Sequence, residues 1–204
     1  SLSQKIDKII VATSNETVDD LLCDYVKSIG FDVARGSRDN VLDRFYQAAR
    51  LYQPDTVIRI TADCPLIDYQ LADQVIDEYE KKGFDYVANR AEPPMVPDGL
   101  DTEVFSFKAL ETAWKNGKST FEREHVTPYI RQSSKFKHGA VHSDRDYAQD
   151  RWTVDYEEDF LLVKGIIEAL YKPESYFGWR DILAYKQKNP ALFETNRHLC
   201  PSVS

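Results

Sequence analysis

Residues 57–68 read VIRITADCPLID, and this stretch decides the expected fold. An apolar run with the length of a buried strand leads into an acidic residue, Asp63, and a proline-bearing turn follows at once. In open α/β sheets, ligands gather beyond the carboxyl ends of the strands. A carboxylate at that point can hold Mg²⁺ against a phosphate, since this ion prefers oxygen ligands. The alternative is an aspartate that only caps a turn, and spacing alone does not choose between the two.

Strand-like and helix-like stretches alternate on the N-terminal side of this segment. Residues 6–13 and 31–34 have the pattern of buried strands, and residues 15–29 and 40–52 have the pattern of amphipathic helices. Gly30 follows the first of these helices, where a left-handed terminator is expected. The alternation predicts an α/β fold with a mainly parallel sheet flanked by helices.

The same alternation continues on the C-terminal side. Helical patterns cover residues 68–82, 108–115, 120–132, 157–171 and 179–188. Strand patterns cover residues 85–88, 102–107, 136–142 and 151–155. Residues 91–100 are rich in proline and predict a loop, and Pro128 predicts a kink or a break in its helix. A polar tail is expected after the last helix.

A second aspartate, Asp155, stands at the end of a predicted strand in the stretch RWTVDYEEDF, residues 151–160. It can be a plain helix cap, with the acids that follow, Glu157, Glu158 and Asp159, favoured at the positive end of the helix dipole. Two strand-terminal aspartates far apart in sequence can also converge if their strands lie side by side. Asp63 and Asp155 would then form a metal site.

Composition narrows the possible partners and location. The 204 residues suit one domain, and the net charge of −8 disfavours nucleic acid as a partner. A small phosphorylated ligand stays possible if a metal or local cations offset its charge. Three cysteines at wide spacing fit a reducing compartment. Because neither a signal-peptide pattern nor a long apolar stretch is found, we expect a cytoplasmic protein without membrane association.

Five ordered motifs resemble a known family. They are RGSRDNVLDRFYQAA (35–49), RITADCPLID (59–68), PDGLDTEVFSF (97–107), EREHVTPYI (122–130) and RWTVDYEEDF (151–160). The chain thereby resembles, from about residue 5 to about residue 196, the spore-coat polysaccharide cytidylyltransferase-like proteins. These are related to the synthetases that activate sialic acid and Kdo as CMP-sugars. The resemblance implies a fold of the nucleotide-diphospho-sugar transferase (GT-A-like) type.

The resemblance also implies a reaction and its metal. A sugar oxygen would attack the α-phosphorus of CTP, and pyrophosphate would leave. Asp63 and Asp155 match the family's two metal aspartates and would act as the catalytic pair holding Mg²⁺ or Mn²⁺. Phosphoryl-type transfers need mainly positioning and charge neutralisation, so a nucleophilic side chain is not required.

Further positions have candidate binding roles. Arg35, Ser37, Asp43 and Arg44 fall where the relatives approach the base and ribose, although basic residues on a surface helix are usually only solvated. Asp98, Asp101 and Glu103 follow a glycine-bearing turn and can accept sugar hydroxyls, while Gly99 itself can simply serve that turn. Glu122 and His125 suggest a sugar-side or subunit-contact role, against the alternative of a solvated helix face.

The resemblance further implies a homodimer joined through residues 89–131. Met95, Val96 and Leu100 lie among prolines in the predicted loop, and an exposed apolar patch of that kind often marks a partner surface. We therefore expect this segment to provide both sugar-side and dimer contacts.

One family feature is missing from the sequence. Relatives begin with a strand and a loop of the general form QARMGSTRLPGK around the triphosphate, and we find no such loop here. We therefore expect an N-terminally incomplete single domain over residues 1–204, lacking the first strand and the phosphate loop. Two rivals to a cytidylyltransferase stay open: a GT-A-like glycosyltransferase that uses a nucleotide sugar, and a catalytically silent binding module of the same fold.

Overall fold

Within residues 2–200, which the computed structural model describes, the strands form two sheets. β1 (Ile10–Ser14) and β2 (Asp32–Gly36) pair in parallel, with Ile10 opposite Asp32. The other sheet has the order β3-β5-β4-β6, made of β3 (Thr56–Arg59), β4 (Tyr86–Ala88), β5 (Glu103–Ser106) and β6 (His138–Ala140). The predicted α/β class is confirmed.

The four-stranded sheet is mixed rather than mainly parallel. β4 and β5 run antiparallel, as their flanking hydrogen bonds show: Asn89 N–H to Thr102 O and Ser106 N–H to Asp85 O, both 3.3 Å. β4 and β6 run parallel, with bonds from Tyr86 N–H to Lys137 O and from Val141 N–H to Ala88 O. The prediction of a mainly parallel sheet is corrected because β5 runs against its neighbour β4.

Helices connect the strands in the predicted order. Their bounds are α1 (Asp20–Ser28), α2 (Val41–Tyr52), α3 (Tyr69–Lys82), α4 (Phe107–Asn116), α5 (Thr120–His125), α6 (Pro128–Gln132), α7 (Glu157–Leu170), α8 (Trp179–Lys188) and α9 (Pro190–Phe193). Short 3₁₀ helices cover Thr17–Asp19 and Arg197–Leu199. The helix predicted over residues 120–132 is divided into α5 and α6, and Pro128 is the first residue of α6.

Local sequence signals account for several helix ends. Asn40 Oδ1 accepts a 3.1 Å hydrogen bond from Asp43 N–H at the start of α2. Gln53 ends α2 in the left-handed conformation, directly before Pro54. After α1, Gly30 has φ +87°, as predicted, and the following N–H of Phe31 bonds to Val26 O. The capping residue Asn40, together with Gly30 and Pro54, therefore sets these helix boundaries.

The chain divides into two compact units. The first runs from the described start to Ile58, with Tyr79–Val87 and Val104–Gly139, and packs α2 against β1, β2, α4 and α5. The second contains Arg59–Glu78, Ala88–Glu103 and the chain from residue 140 onward. The expectation of one domain over residues 1–204 stays a prediction.

The second unit has an apolar core built from loops and helices. Its buried members are Leu66, Leu71, Val96, Leu100, Trp152, Leu162, Val163, Ile166, Trp179, Ile182 and Phe193. Val96 and Leu100 are fully buried, so the predicted exposed patch of Met95, Val96 and Leu100 is wrong. The apolar residues of this proline-rich loop pack inward against Trp152 and α7 rather than facing solvent.

Two further expectations at the C-terminal end are corrected. Residues 151–155 do not form a strand, because Arg151 makes only an isolated parallel bridge with Asp98 and the segment is otherwise held by loops. The expected polar tail contains α9 and the buried residues Phe193 and Asn196. Too few apolar residues lie in this stretch to give a helical pattern in the sequence.

Candidate active site

The Asp63 turn follows β3 and has a partly buried carboxylate. Cys64 N–H donates to Thr61 O at 3.2 Å, which closes the turn. The Cys64 thiol lies 3.4 Å from Asp63 Oδ1. Burial raises the pKa of this thiol to about 12, so it stays protonated at neutral pH and is not a nucleophile. Asp63 is thus the residue of this turn that can bind a cation.

The segment of residues 150–154 holds the Asp63 turn through its backbone. Asp63 O accepts hydrogen bonds from Val154 N–H at 2.8 Å and from Thr153 Oγ1 at 3.1 Å. Asp155 is the next residue along the chain. The predicted convergence of the two aspartate-bearing segments is therefore observed at the level of the backbone, although a loop replaces one of the expected strands.

The loop of residues 97–101 is fastened to the same segment. Asp98 N–H donates to Asp150 O at 2.8 Å, and Trp152 N–H donates to Asp98 O at 2.6 Å. Gly99 has φ +103°, and a Cβ atom placed there would lie 2.5 Å from Thr153 N and from the carbonyl carbon of Trp152. Glycine is required at this position because the two backbones touch.

Arg151 joins three acidic side chains into a network. Its guanidinium binds Asp159 through Nε at 3.0 Å and Nη2 at 2.8 Å, binds Asp155 through Nη2 at 2.5 Å, and lies 3.4 Å from Asp98. The Asp159 side chain has no exposed surface, whereas that of Asp155 is 48% exposed. The hydrogen bonds to Asp159 raise the pKa of Arg151, so the guanidinium is a permanent cation here.

Asp159 is a buried structural acid. Burial alone would raise its pKa, but Arg151, Asn196 and the backbone N–H groups of Asp155 and Tyr156 together lower the pKa to about 2. The sequence suggests only a favourable interaction with the helix dipole for this residue. Its main contribution is instead to fix Arg151 beside Asp155.

Arg59 and Arg90 neutralise the other candidate sugar-binding acids. Arg59 binds Glu103 at 2.5 Å, and both side chains are largely buried. Arg90 lies 3.6 Å from Asp98 and 3.4 Å from Asp101. Burial raises the pKa of Asp101, against the opposing effects of Gly99 N–H and Arg90. Asp98, Asp101 and Glu103 are thus held by cations that the sequence analysis did not single out.

The predicted nucleotide-binding residues belong to the first unit, and three of them have local partners. Arg35 binds Ser14 O, Glu16 O and Asp20. Ser37 Oγ accepts from the N–H of Asn40, and Asp43 accepts from the side chains of Gln47 and Trp114. Arg44 differs, because its Nε is buried without a hydrogen-bond partner within residues 2–200.

Glu122 and His125 lie on α5, in the first unit. Glu122 Oε2 accepts from the N–H groups of Lys118 and Ser119 and from Ser119 Oγ, which forms a capping box. These bonds lower the pKa of Glu122. His125 packs against Phe121, with ring centroids 4.6 Å apart. The observed contacts of Glu122 are those of a helix cap.

The donor set suits a hard cation that is shared with a substrate. Within residues 2–200, no three His, Cys, Asp or Glu side chains are arranged to hold a metal ion. Mg²⁺ commonly binds through one or two carboxylates plus substrate phosphates, and the carboxylates of Asp63 and Asp155 fit that requirement.

Functionally placed residues that sequence reasoning missed are Arg59, Arg90, Arg151, Asp159 and Asn196. Three of them are arginines near candidate acids in a chain with 34 acidic and 26 basic residues. Arg151 precedes a cluster of acids in residues 155–159, and this signal could have identified it, because buried carboxylates require cationic partners. Arg59 lacks such a signal, since its partner Glu103 is 44 positions away.

Comparison with known proteins identifies the family. A family model described as Cytidylyltransferase matches residues 1–197. The chain belongs to the cytidylyltransferase family. Membership makes it a nucleotidyltransferase enzyme and confirms the resemblance drawn from the five motifs.

Three similar proteins extend this assignment. The uncharacterized protein MJ1063 of Methanocaldococcus jannaschii is 36% identical over 205 residues, covering 97% of this chain and 80% of that protein. The spore coat polysaccharide biosynthesis protein SpsF of Bacillus subtilis is 31% identical over 175 residues, covering 79% and 68%. A solved cytidylyltransferase from Leptospira borgpetersenii superimposes with a TM-score of 0.84 at 29% identity, covering 96% and 80%.

None of the helices within residues 2–200 is both long and apolar enough to cross a bilayer.

Proposed function

We propose that this cytidylyltransferase transfers a cytidylyl group from CTP to a sugar or sugar acid in surface polysaccharide biosynthesis, using a divalent cation. Family membership supports nucleotidyl transfer, and the name of the relative SpsF supports the polysaccharide context. The observation that carries the roles of Asp63 and Asp155 is the pair of hydrogen bonds from Val154 and Thr153 to Asp63 O.

The proposed reaction forms one bond and breaks one. A sugar hydroxyl oxygen bonds to the α-phosphorus of CTP, and the bond from that phosphorus to the oxygen bridging to the β-phosphate breaks. Pyrophosphate leaves, and the hydroxyl proton passes to solvent. Mg²⁺ or Mn²⁺ supplies neutralisation of the phosphate charge when bound. Asp63 and Asp155 would hold it with their carboxylate oxygens.

The sugar side is proposed to lie at Asp98 and Asp101. Their side chains are 25% and 32% exposed, so their oxygens can accept hydroxyl hydrogen bonds while Arg90 balances their charge. Glu103 is 10% exposed and bound to Arg59. Its proposed role is therefore to hold Arg59 rather than to contact sugar.

On the nucleotide side, Arg44 is proposed as the strongest of the four candidate residues. Arg35, Ser37 and Asp43 already bind protein groups, whereas the buried Arg44 Nε has no hydrogen-bond partner within the described part of the chain. Buried donors are normally satisfied, so a ligand acceptor at Arg44 would remove this deficit.

Pyrophosphate release tests the proposal. Wild-type protein is incubated with Mg²⁺, each of the four nucleoside triphosphates and a panel of sugars and sugar acids, and we expect release with CTP. Asp63→Asn and Asp155→Asn should each lower the rate at least about a hundredfold, because charge stabilisation of the transition state is lost. Asp144→Asn is the matched control, since Asp144 is 59% exposed and pairs only at the surface with Arg180.

Two outcomes would contradict the proposal. Undiminished pyrophosphate release in Asp63→Asn or Asp155→Asn would remove that residue from the metal site. Transfer from a nucleotide sugar without pyrophosphate release would support the glycosyltransferase alternative instead.

A further inference from the structure

Asn196 is a buried amide next to the candidate metal site. It is 2% exposed and lies between α9 and the 3₁₀ turn Arg197–Leu199. Its Nδ2 donates to Asp159 Oδ1 at 2.8 Å and to Arg151 O at 2.9 Å. Both hydrogens of one amide group are therefore used to join Arg151 and Asp159.

The Asp159 carboxylate connects Asn196 to the Arg151 guanidinium. One carboxylate oxygen accepts from Asn196 Nδ2 and Arg151 Nε, and the other accepts from Arg151 Nη2 and from the backbone N–H groups of Asp155 and Tyr156. With five donors around a fully buried carboxylate, its orientation is fixed. The same two oxygens bind the Arg151 guanidinium in a bidentate manner, through Nε and Nη2.

Arg151 in turn directs Asp155. Its Nη2 binds Asp159 Oδ2 at 2.8 Å and Asp155 Oδ2 at 2.5 Å. Asp155 is the one member of this chain of contacts whose side chain is about half exposed, and the others are buried or nearly so. The contacts thus lead from the interior to the carboxylate that a cation would meet.

We propose that Asn196 is a positioning residue that fixes the direction of the Asp155 carboxylate through Asp159 and Arg151. This inference rests on the proposed function, since it assigns Asp155 to the metal. Partners behind metal ligands commonly set affinity by holding the ligand in one orientation. An asparagine suits the position because an aspartate there would place a negative oxygen against both Asp159 and the Arg151 carbonyl.

The first measurement is the affinity for Mn²⁺ in the presence of CTP, determined by electron paramagnetic resonance. We expect Asn196→Ala to weaken Mn²⁺ binding about tenfold. The matched control is Asn189→Ala, which removes an amide from the same region. Within residues 2–200, the Asn189 side chain donates a local hydrogen bond to Tyr185 O. Thermal unfolding of each variant shows whether it is folded, and Asn196→Ser, which keeps one donor, provides the test if the alanine variant is not.

A double-mutant cycle separates positioning from mere anchoring of the C-terminal segment. In an Asp155→Asn background, Asn196→Ala should have no further effect on Mn²⁺ affinity, whereas in an Asp63→Asn background the tenfold loss should persist. Equal losses in both backgrounds, or unchanged affinity in Asn196→Ala alone, would overturn the inference while leaving the proposed function intact. A wild-type protein that binds no Mn²⁺ with CTP would overturn both.

Discussion

Single residues in this site depend on partners that are distant in sequence. In the sequence, Asp159 is one of three acids at the start of a helix. In the structure it binds Arg151, eight positions earlier, and Asn196, 37 positions later. Neither partner lies in the same helix as Asp159, so the pattern of that helix does not predict these contacts. Sequence reasoning therefore identifies Asp63 and Asp155 as candidates, from strand ends and family motifs, but not the residues that hold them.

The same residue should make stability depend on acid pH. The pKa of Asp159 is about 2 in the folded chain, against an unperturbed value of about 3.9. Because the folded pKa is the lower one, its contribution is complete above about pH 4 and is lost as pH falls through about 2. The contribution amounts to about 2 to 3 kcal/mol.

Urea denaturation between pH 2 and pH 6 measures this effect. The free energy of unfolding should fall with decreasing pH in wild type, and Asp159→Asn should lack that part of the slope. Asp144→Asn, at an exposed site, should keep most of it. Equal slopes in wild type and Asp159→Asn would contradict the assignment.

At the scale of elements, helices and strands were mostly predictable and loop packing was not. Capping residues mark α2 and the end of α1, and alternating apolar residues mark the short strands. The same alternation in residues 151–155 suggests a strand, because Trp152 and Val154 face an apolar core. Only the three-dimensional contacts reveal that this segment is held between two loops instead of within a sheet.

Gly99 gives this loop packing a direct test. Gly99→Ala should lower the free energy of unfolding by about 3 kcal/mol, since a Cβ would meet backbone atoms at 2.5 Å that cannot rotate away. Gly30→Ala is the control, because Gly30 also has positive φ but has open space around it, and it should cost only about 1 kcal/mol. Chemical denaturation measures both, and similar losses would refute the close approach.

At the scale of the whole molecule, charge compensation and assembly matter most. The chain carries a net charge of −8, and in the second unit Arg59, Arg90 and Arg151 pair with five acids: Asp98, Asp101, Glu103, Asp155 and Asp159. Sequence composition reports the imbalance but not its distribution. That distribution depends on which arginines the fold buries beside which acids.

We expect a homodimer joined through residues 89–131, although its basis has changed. Val96 and Leu100 are buried, whereas Phe121 in the same segment is 56% exposed. Phe121→Ser should therefore halve the mass found by light scattering at tens of micromolar. Phe160→Ser, at a comparably exposed site outside the segment, should not. A monomeric wild type would count against this prediction.

The position of Asn196 has a consequence for synthesis of the chain. The Asp63 turn leaves the ribosome about ninety residues before Thr153, to which it bonds, and Asn196 follows later still. Contacts this far apart in sequence form only after long loops have closed. During translation Asp159 and Arg151 therefore lack their amide partner until residue 196 has emerged, and only then can this network of contacts be complete.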